Sequence, residues 1–390
     1  MTELLIPAAF VVSLLILFGL YRWMRKAEKP VRGRMDHRGL HPGLSAGLSA
    51  VLAGEREQAI QALREVVEED TDAVEVYLLL GDLHRELGQG ERALRIHRSV
   101  LGRSGLTRAQ RIAALTSLGR DFEAAGFLDK AQESFEKISE LRPKEPGPWR
   151  QIRRLAERSG DWERALAVQE KLVPLASDRE REERVLAFLH DRVGEELMLR
   201  DEHKPARKHL DKALKLDPDC IPARIHLGDL FLRQGHKVEA GRTWQQLVRD
   251  HPEHGVLVLE RLETLHAASG EQRGYDDVLE ELASQRPRDV RVKATLARRR
   301  AGAGRDDEAR QLVLEAFGGA PRATAVHRVA WDLASSGVVD REQARRCREI
   351  LAATPELPHS CLRCRYRTDE ATWRCPHCHR WGTMVLEEGW

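Results

Sequence analysis

A period of about 34 residues runs through the middle of this chain and limits its fold more than any other feature. Small residues mark it. Gly47, Gly81, Gly119, Gly194 and Gly228 form one series, and Ala59, Ala93, Ala131, Ala165, Ala206, Ala240, Ala309 and Ala344 a second, twelve residues further on wherever both are present. Between the two series, Gly54, Gly88, Gly126, Gly160, Gly235 and Gly304 are placed to end one helix. Pro143, Pro218, Pro252, Pro287, Pro321 and Pro355 are placed to end the next. A two-helix unit of this length cannot cover its own apolar face, so successive units must stack to bury it.

This is the pattern of the tetratricopeptide helix-turn-helix unit, in which a small residue on helix A admits helix B and a small residue on helix B admits helix A. Counting the second series gives about nine units. Tyr275 stands where alanine is expected and Arg153 where glycine is expected. Longer intervals place insertions near Gly102 to Thr107 and Ala176 to Glu183, expected as inter-repeat loops. Phe122, Phe135, Trp149, Trp162, Phe231 and Trp244 recur at helical spacing and read as core. The expected fold is all-α, a superhelical solenoid with a concave groove lined by the A helices. Arg150, Arg154 and Arg158 fall every four residues on one such helix, with Arg120 at the equivalent place one repeat earlier. Asp82, Arg85, Asp229 and Arg233 are further groove candidates, and arginines there suit acidic peptides or protein loops.

The two ends differ from the middle. Leu4 to Tyr21 is an uncharged apolar run of eighteen residues, close to the length of a bilayer-spanning helix. Only Glu3 carries charge before it, whereas Arg22, Arg25, Lys26 and Lys29 follow, so it reads as a retained anchor and not a cleaved leader. The basic side stays cytoplasmic, which sets a single-pass topology with the N-terminus outside and the bulk of the chain in the cytoplasm. Tyr21 and Trp23 stand at interfacial positions. The expected organisation is an N-terminal transmembrane anchor (1–25), a basic linker (26–38), the repeats (39–355) and a small C-terminal domain (356–390).

That last domain holds Cys361-x-x-Cys364 and Cys375-x-x-Cys378, ten residues apart. Two such knuckles bring four thiolates to one tetrahedron, for a single Zn²⁺ or a rubredoxin-type iron. Two disulfides are the competing reading, disfavoured in a reducing cytosol. A stretch this short has little core, so the metal must supply much of its folding energy. Trp373 and Trp381 bracket the second knuckle and are expected to cover the metal or dock onto the last repeats. His377 and His379 are poorly placed as ligands, and Cys220 and Cys347 read as buried apolar residues.

Lys and Arg total 64 against 62 for Asp and Glu, so nothing global points to nucleic acid, although five arginines make the knuckle domain basic. There is no nucleophile–base pair, phosphate loop or HExxH helix, and no enzyme is expected.

Anchor, repeats and knuckles in this order resemble the lipopolysaccharide assembly protein B family of Gram-negative bacteria. Local matches are Leu80-Gly81-Asp82-Leu83, Arg92-Ala93-Leu94-Arg95-Ile96-His97-Arg98, Leu118-Gly119-Arg120-Asp121-Phe122, Ala125-Gly126, Asp129-Lys130-Ala131, and Trp373-Arg374-Cys375-Pro376-His377-Cys378 with Trp381. The resemblance implies an inner-membrane, cytoplasm-facing adaptor with a rubredoxin-like metal domain, ligated through Cys361, Cys364, Cys375 and Cys378. Such an adaptor regulates lipid A synthesis by helping a membrane-anchored ATP-dependent protease degrade the committed-step deacetylase. Other lipopolysaccharide assembly proteins are implied partners, and a homodimer stays open. Two things depart from the family: Arg365 and His379 follow the knuckles where the first usually has glycine, and Met35 to Gly43 matches poorly. Rubredoxin-type electron transfer and a passive scaffold for envelope biosynthetic enzymes are the alternative readings, and iron versus zinc stays open.

Overall fold

The computed structural model describes residues 41–269, 272–319, 324–334, 340, 342, 345–349 and 359–386. The expected anchor at Leu4 to Tyr21, its basic flank, the linker at 26–38, and Pro321, Ala344 and Pro355 lie outside them. No helix of the described residues is long and apolar enough to cross a membrane. The chain divides into two compact units, Met1–Ala125 and Gly126–Trp390.

The described part of the first unit is five helices, α1 (Pro42–Ala53), α2 (Arg56–Glu69), α3 (Val74–Glu86), α4 (Gly90–Leu101) and α5 (Arg108–Ala124). Gly54 and Gly88 turn the chain between helices at φ of 79° and 75°, where glycine alone is unstrained. Thr107 and Gln110 close a capping box at the start of α5, so the insertion at Gly102 to Thr107 is a loop that ends in a helix cap. Ala59 and Ala93 are fully buried.

The second unit contains α6 (Leu128–Leu141), α7 (Pro146–Ser159), α8 (Trp162–Leu172), α9 (Arg179–Leu199), α10 (His203–Leu216), α11 (Ile221–Arg233), α12 (Lys237–Asp250), α13 (Leu259–Ser269), α14 (Gln272–Gln285), α15 (Val290–Gly302), α16 (Asp306–Gly319) and α17 (Thr324–Ala334). Among the described residues the molecule is thus an all-α solenoid, followed by a three-stranded antiparallel sheet of order β2-β1-β3, formed by β1 (His359–Cys361), β2 (Arg367–Thr368) and β3 (Met384–Leu386). The insertion near Ala176 to Glu183 is not a loop throughout. Asp178 caps α9 through the N–H of Arg181, and Arg179–Glu183 and Glu180–Arg184 pair one turn apart, so these residues lengthen the helix.

Gly47, Gly81, Gly194 and Gly228 on the A helices each meet the side chain sixteen residues ahead. A Cβ on Gly47 would lie 2.7 Å from Leu63, and one on Gly194 would lie 3.0 Å from Leu210. On Gly81 it would overlap the His97 ring, and on Gly228 the Trp244 indole. The larger rings are held by equivalent backbone carbonyls, His97 Nε2 at 3.1 Å from Leu78 O and Trp244 Nε1 at 3.2 Å from Ile225 O. Trp244 is fully buried and cannot step aside, so Gly228→Ala is expected to cost about 3 kcal/mol in a urea melt. Trp244→Leu in the same chain should recover part of that loss, because the two sites share one volume.

Candidate metal centre

The two knuckles are built alike. β1 delivers Cys361, whose N–H donates to Tyr366 O at 2.8 Å while Arg365 N–H donates back to Cys361 O at 2.9 Å. In the second, Cys375 N–H donates to Arg380 O and His379 N–H to Cys375 O, both at 2.9 Å. Closing each turn requires a left-handed residue just after the second cysteine. Arg365 takes φ of 62° and His379 φ of 57°, where a side chain costs backbone energy that glycine does not.

The four thiols converge. Cys361 Sγ lies 3.7 Å from Cys378 Sγ, Cys364 Sγ lies 3.6 Å from Cys375 Sγ, and all four fall within 4.8 Å of one another. A tetrahedron with metal–sulfur bonds of about 2.3 Å has edges of about 3.8 Å, so the two shortest separations match those of thiolates around one ion and the donor set fits a single metal. All six cysteines of the chain are free thiols, and the knuckle sulfurs stand at metal-ligand spacing, well beyond the roughly 2.05 Å of a disulfide. The N–H groups of Arg363 and Cys378 point at Cys361 and Cys375 Sγ from 3.4 Å, and the Thr383 hydroxyl stands 3.3 Å from Cys361 Sγ. Burial opposes ionisation of Cys361, but Thr383 and the N–H groups of Cys364 and Arg363 bring it down to about 6. Burial pushes Cys378 up to about 12. His377 and His379 are not part of the cluster.

The sheet and knuckles dock on the middle of the repeats, not on the last ones. Trp381 stacks on Phe188 of α9 with ring centres 5.4 Å apart and meets Trp162 of α8 edge-on at 6.1 Å. Its indole N–H donates to Glu157 Oε1 on α7 at 3.0 Å. Arg374 Nε lies 3.0 Å from Glu157 Oε2, and Arg153 Nε 3.2 Å from Oε1. The Glu157 side chain is 2% exposed, so one buried carboxylate faces two guanidiniums and an indole. Trp373 meets His254 edge-on at 5.8 Å. Burial comes first among the causes that hold His254, His359 and His379 below the usual imidazole range. Arg291 adds to it at His254 and His359, and Arg374, Arg158 and Arg154 add to it at His379.

Arg153, out of place as a repeat glycine, finds its use here. It faces position 169, as Gly228 faces 244, and that residue is Gln169, whose Oε1 accepts from Arg153 Nη1 at 2.7 Å. Gln169 and Arg153 both reach Glu182 Oε2, at 2.9 and 3.1 Å. Burial works to raise the Glu182 pKa, but Gln169 and the guanidiniums of Arg153 and Arg150 hold it down. Glu157, Gln169 and Glu182 were not among the expected site residues, and the arginine at a glycine position was the signal that could have led to them.

The groove candidates have mixed fates. In the first unit Arg85 pairs with Asp82 at 2.6 Å and with buried Asp121 at 2.9 Å, which also holds His97, while Arg120 is exposed. In the second unit Arg150 pairs with Glu182 at 3.1 Å, and Arg154 and Arg158 lie beside the docked knuckles. Asp229 takes a two-pronged pair from Arg261 at 2.7 and 3.0 Å, and Arg233 stands 3.9 Å from Asp201.

Fold and site together define a tetratricopeptide-like solenoid protein carrying a rubredoxin-like four-cysteine metal domain. A family model described as a rubredoxin metal binding domain matches residues 359–385, and tetratricopeptide repeat models match 50–114 and 223–254. The chain resembles the lipopolysaccharide assembly protein B family over most of its length. Lipopolysaccharide assembly protein B of Escherichia coli strain K12 is 24% identical over 379 residues, covering 94% of each chain. The Haemophilus influenzae protein of the same name is 23% identical over 319 residues, covering 80% of this chain and 78% of its own. Among solved structures, the crystal structure of MamA protein aligns with 45% of this chain and 90% of its own, at 19% identity and a TM-score of 0.35.

Proposed function

We propose that this protein is a membrane-anchored, non-enzymatic adaptor in lipopolysaccharide biosynthesis. Its repeats bring the committed-step deacetylase of lipid A synthesis to a membrane-anchored ATP-dependent protease. The observation that carries this reading is the colinear match, repeats and knuckles alike, to relatives named for lipopolysaccharide assembly over 94% of both lengths. The apolar run at Leu4 to Tyr21 with its basic flank supports a tether in the inner membrane, the bulk of the chain facing the cytoplasm. Tethering raises the concentration of a captured client beside a membrane-bound protease, and the adaptor itself need catalyse nothing. One iron or zinc ion held by Cys361, Cys364, Cys375 and Cys378 serves structure in this scheme, fixing the docked knuckles. Deleting Met1 to Arg25 and following deacetylase half-life tests it: turnover should slow several-fold, and unchanged turnover defeats the reading.

A further inference from the structure

With the knuckle domain docked through Trp381, Arg374 and Trp373, part of it still faces solvent. Leu362 is 60% exposed and Tyr366 38%, and Tyr366 is stacked on His377 of the other knuckle at 5.9 Å with the rings 9° apart. Arg363, Arg365 and Arg380 are exposed, with no ion pair among the described residues. An apolar centre bordered by unpaired guanidiniums is what a protein interface looks like before its partner arrives.

Arg365 makes the case. Its backbone sits in the left-handed region at φ of 62°, where glycine closes the same turn without strain. Among the described residues no hydrogen bond, ion pair or ring contact uses its side chain. An arginine at a strained position, exposed to solvent and next in the chain to exposed Tyr366, points to a use outside the molecule.

We infer that this face of the knuckle domain, centred on Leu362 and Tyr366 and bordered by Arg363, Arg365 and Arg380, docks an acidic protein segment that carries an apolar side chain. The chemistry favours carboxylates. Every cationic side chain from 359 to 386 other than histidine is arginine, and the guanidinium fork matches a carboxylate in two-pronged geometry. Three guanidiniums are few for a nucleic-acid track or for adsorption to anionic lipid, and exposed Asp369 and Glu370 weaken any broad positive field. Leu362 and Tyr366 call for an apolar counterpart that a phosphate backbone lacks. This surface stands apart from the lipid A reading, since it is tested without the deacetylase or the protease.

The experiment uses the full metal-loaded chain in neutral detergent and a fluorescein-labelled peptide, Glu-Glu-Leu-Glu-Glu-Leu, followed by anisotropy at low salt. Arg363→Ala and Arg365→Gly should each weaken binding about tenfold. Arg365→Gly should also raise the melting temperature of the knuckle domain, a split that a purely structural arginine does not produce. The inference is overturned if the peptide fails to bind at about 1 mM, or if neither variant alters its affinity. Displacement by oligo(U) or short-chain phosphatidylglycerol at least as strong as by unlabelled peptide overturns it as well.

Discussion

Cys375→Ser, or removal of the metal with a strong chelator, is expected to unfold the knuckle domain and leave the helices in place. The domain's own core is Cys361, Cys375 and Met384, with Cys364 and Cys378 packed against them, so its interior is largely its ligands. Structural metal sites of this kind contribute about 10–16 kcal/mol near neutral pH, whereas burying one large aromatic contributes about 3 kcal/mol. Docking of Trp381 therefore cannot hold the segment folded without the ion. Four results should appear together: metal content falling from one equivalent to none, trypsin cleavage at Arg363, Arg365 and Arg367, a red shift of tryptophan emission as Trp381 leaves Phe188, and almost unchanged helical dichroism. A chelated protein that keeps its protease resistance and its emission maximum sinks the structural role assigned to the metal.

The same contrast between local and distant causes decides what the sequence makes legible. The cysteine quartet was readable because knuckle spacing alone fixes ligand geometry, and the repeat glycines because Gly47, Gly81, Gly194 and Gly228 each meet a partner sixteen residues ahead. Gly54, Gly88, Gly126, Gly160, Gly235 and Gly304 all turn the chain at positive φ, as their places between the two small-residue series require. Asp201 takes the same conformation at φ of 58° in a repeat that lacks the glycine. The reading of Ala176 to Glu183 as loop holds as far as Asp178 and fails from Arg179 on, because interval length was weighed without caps, and Asp178 and two charge pairs favour helix there. Trp381 was expected at the metal or the last repeats, yet it lands on Glu157, 224 residues earlier. No periodic signal spans such a distance. What the sequence did show was an oddity, Arg153 in a position built for glycine, and only the three-dimensional neighbourhood of Gln169, Glu182 and Glu157 explains it.

Glu157→Gln is expected to release the knuckle domain from the repeats while the metal stays bound. Among the described residues the carboxylate is the one counter-charge close to Arg374, whose charge burial already disfavours, with Arg153 and Arg158 adding repulsion. Glutamine keeps an oxygen for the Trp381 indole but no negative charge, leaving a buried guanidinium unpaired at a cost of about 3–5 kcal/mol. Unfolding is not the cheapest escape from that cost. Arg374 regains water if the domain simply lifts away, so the penalty should appear as undocking, read as faster amide exchange at Trp373, Arg374 and Trp381 with metal content unchanged. Arg153 should stay in place, because Glu182 and Gln169 still hold it. Glu157→Leu combined with Arg374→Leu removes both charges and should restore much of the docking, since an apolar pair of similar volume carries no desolvation penalty. If Glu157→Gln stays docked, or loses metal in step with docking, then the ion pair is not what joins the two parts, and the aromatic stack of Trp381, Phe188 and Trp162 must carry the contact.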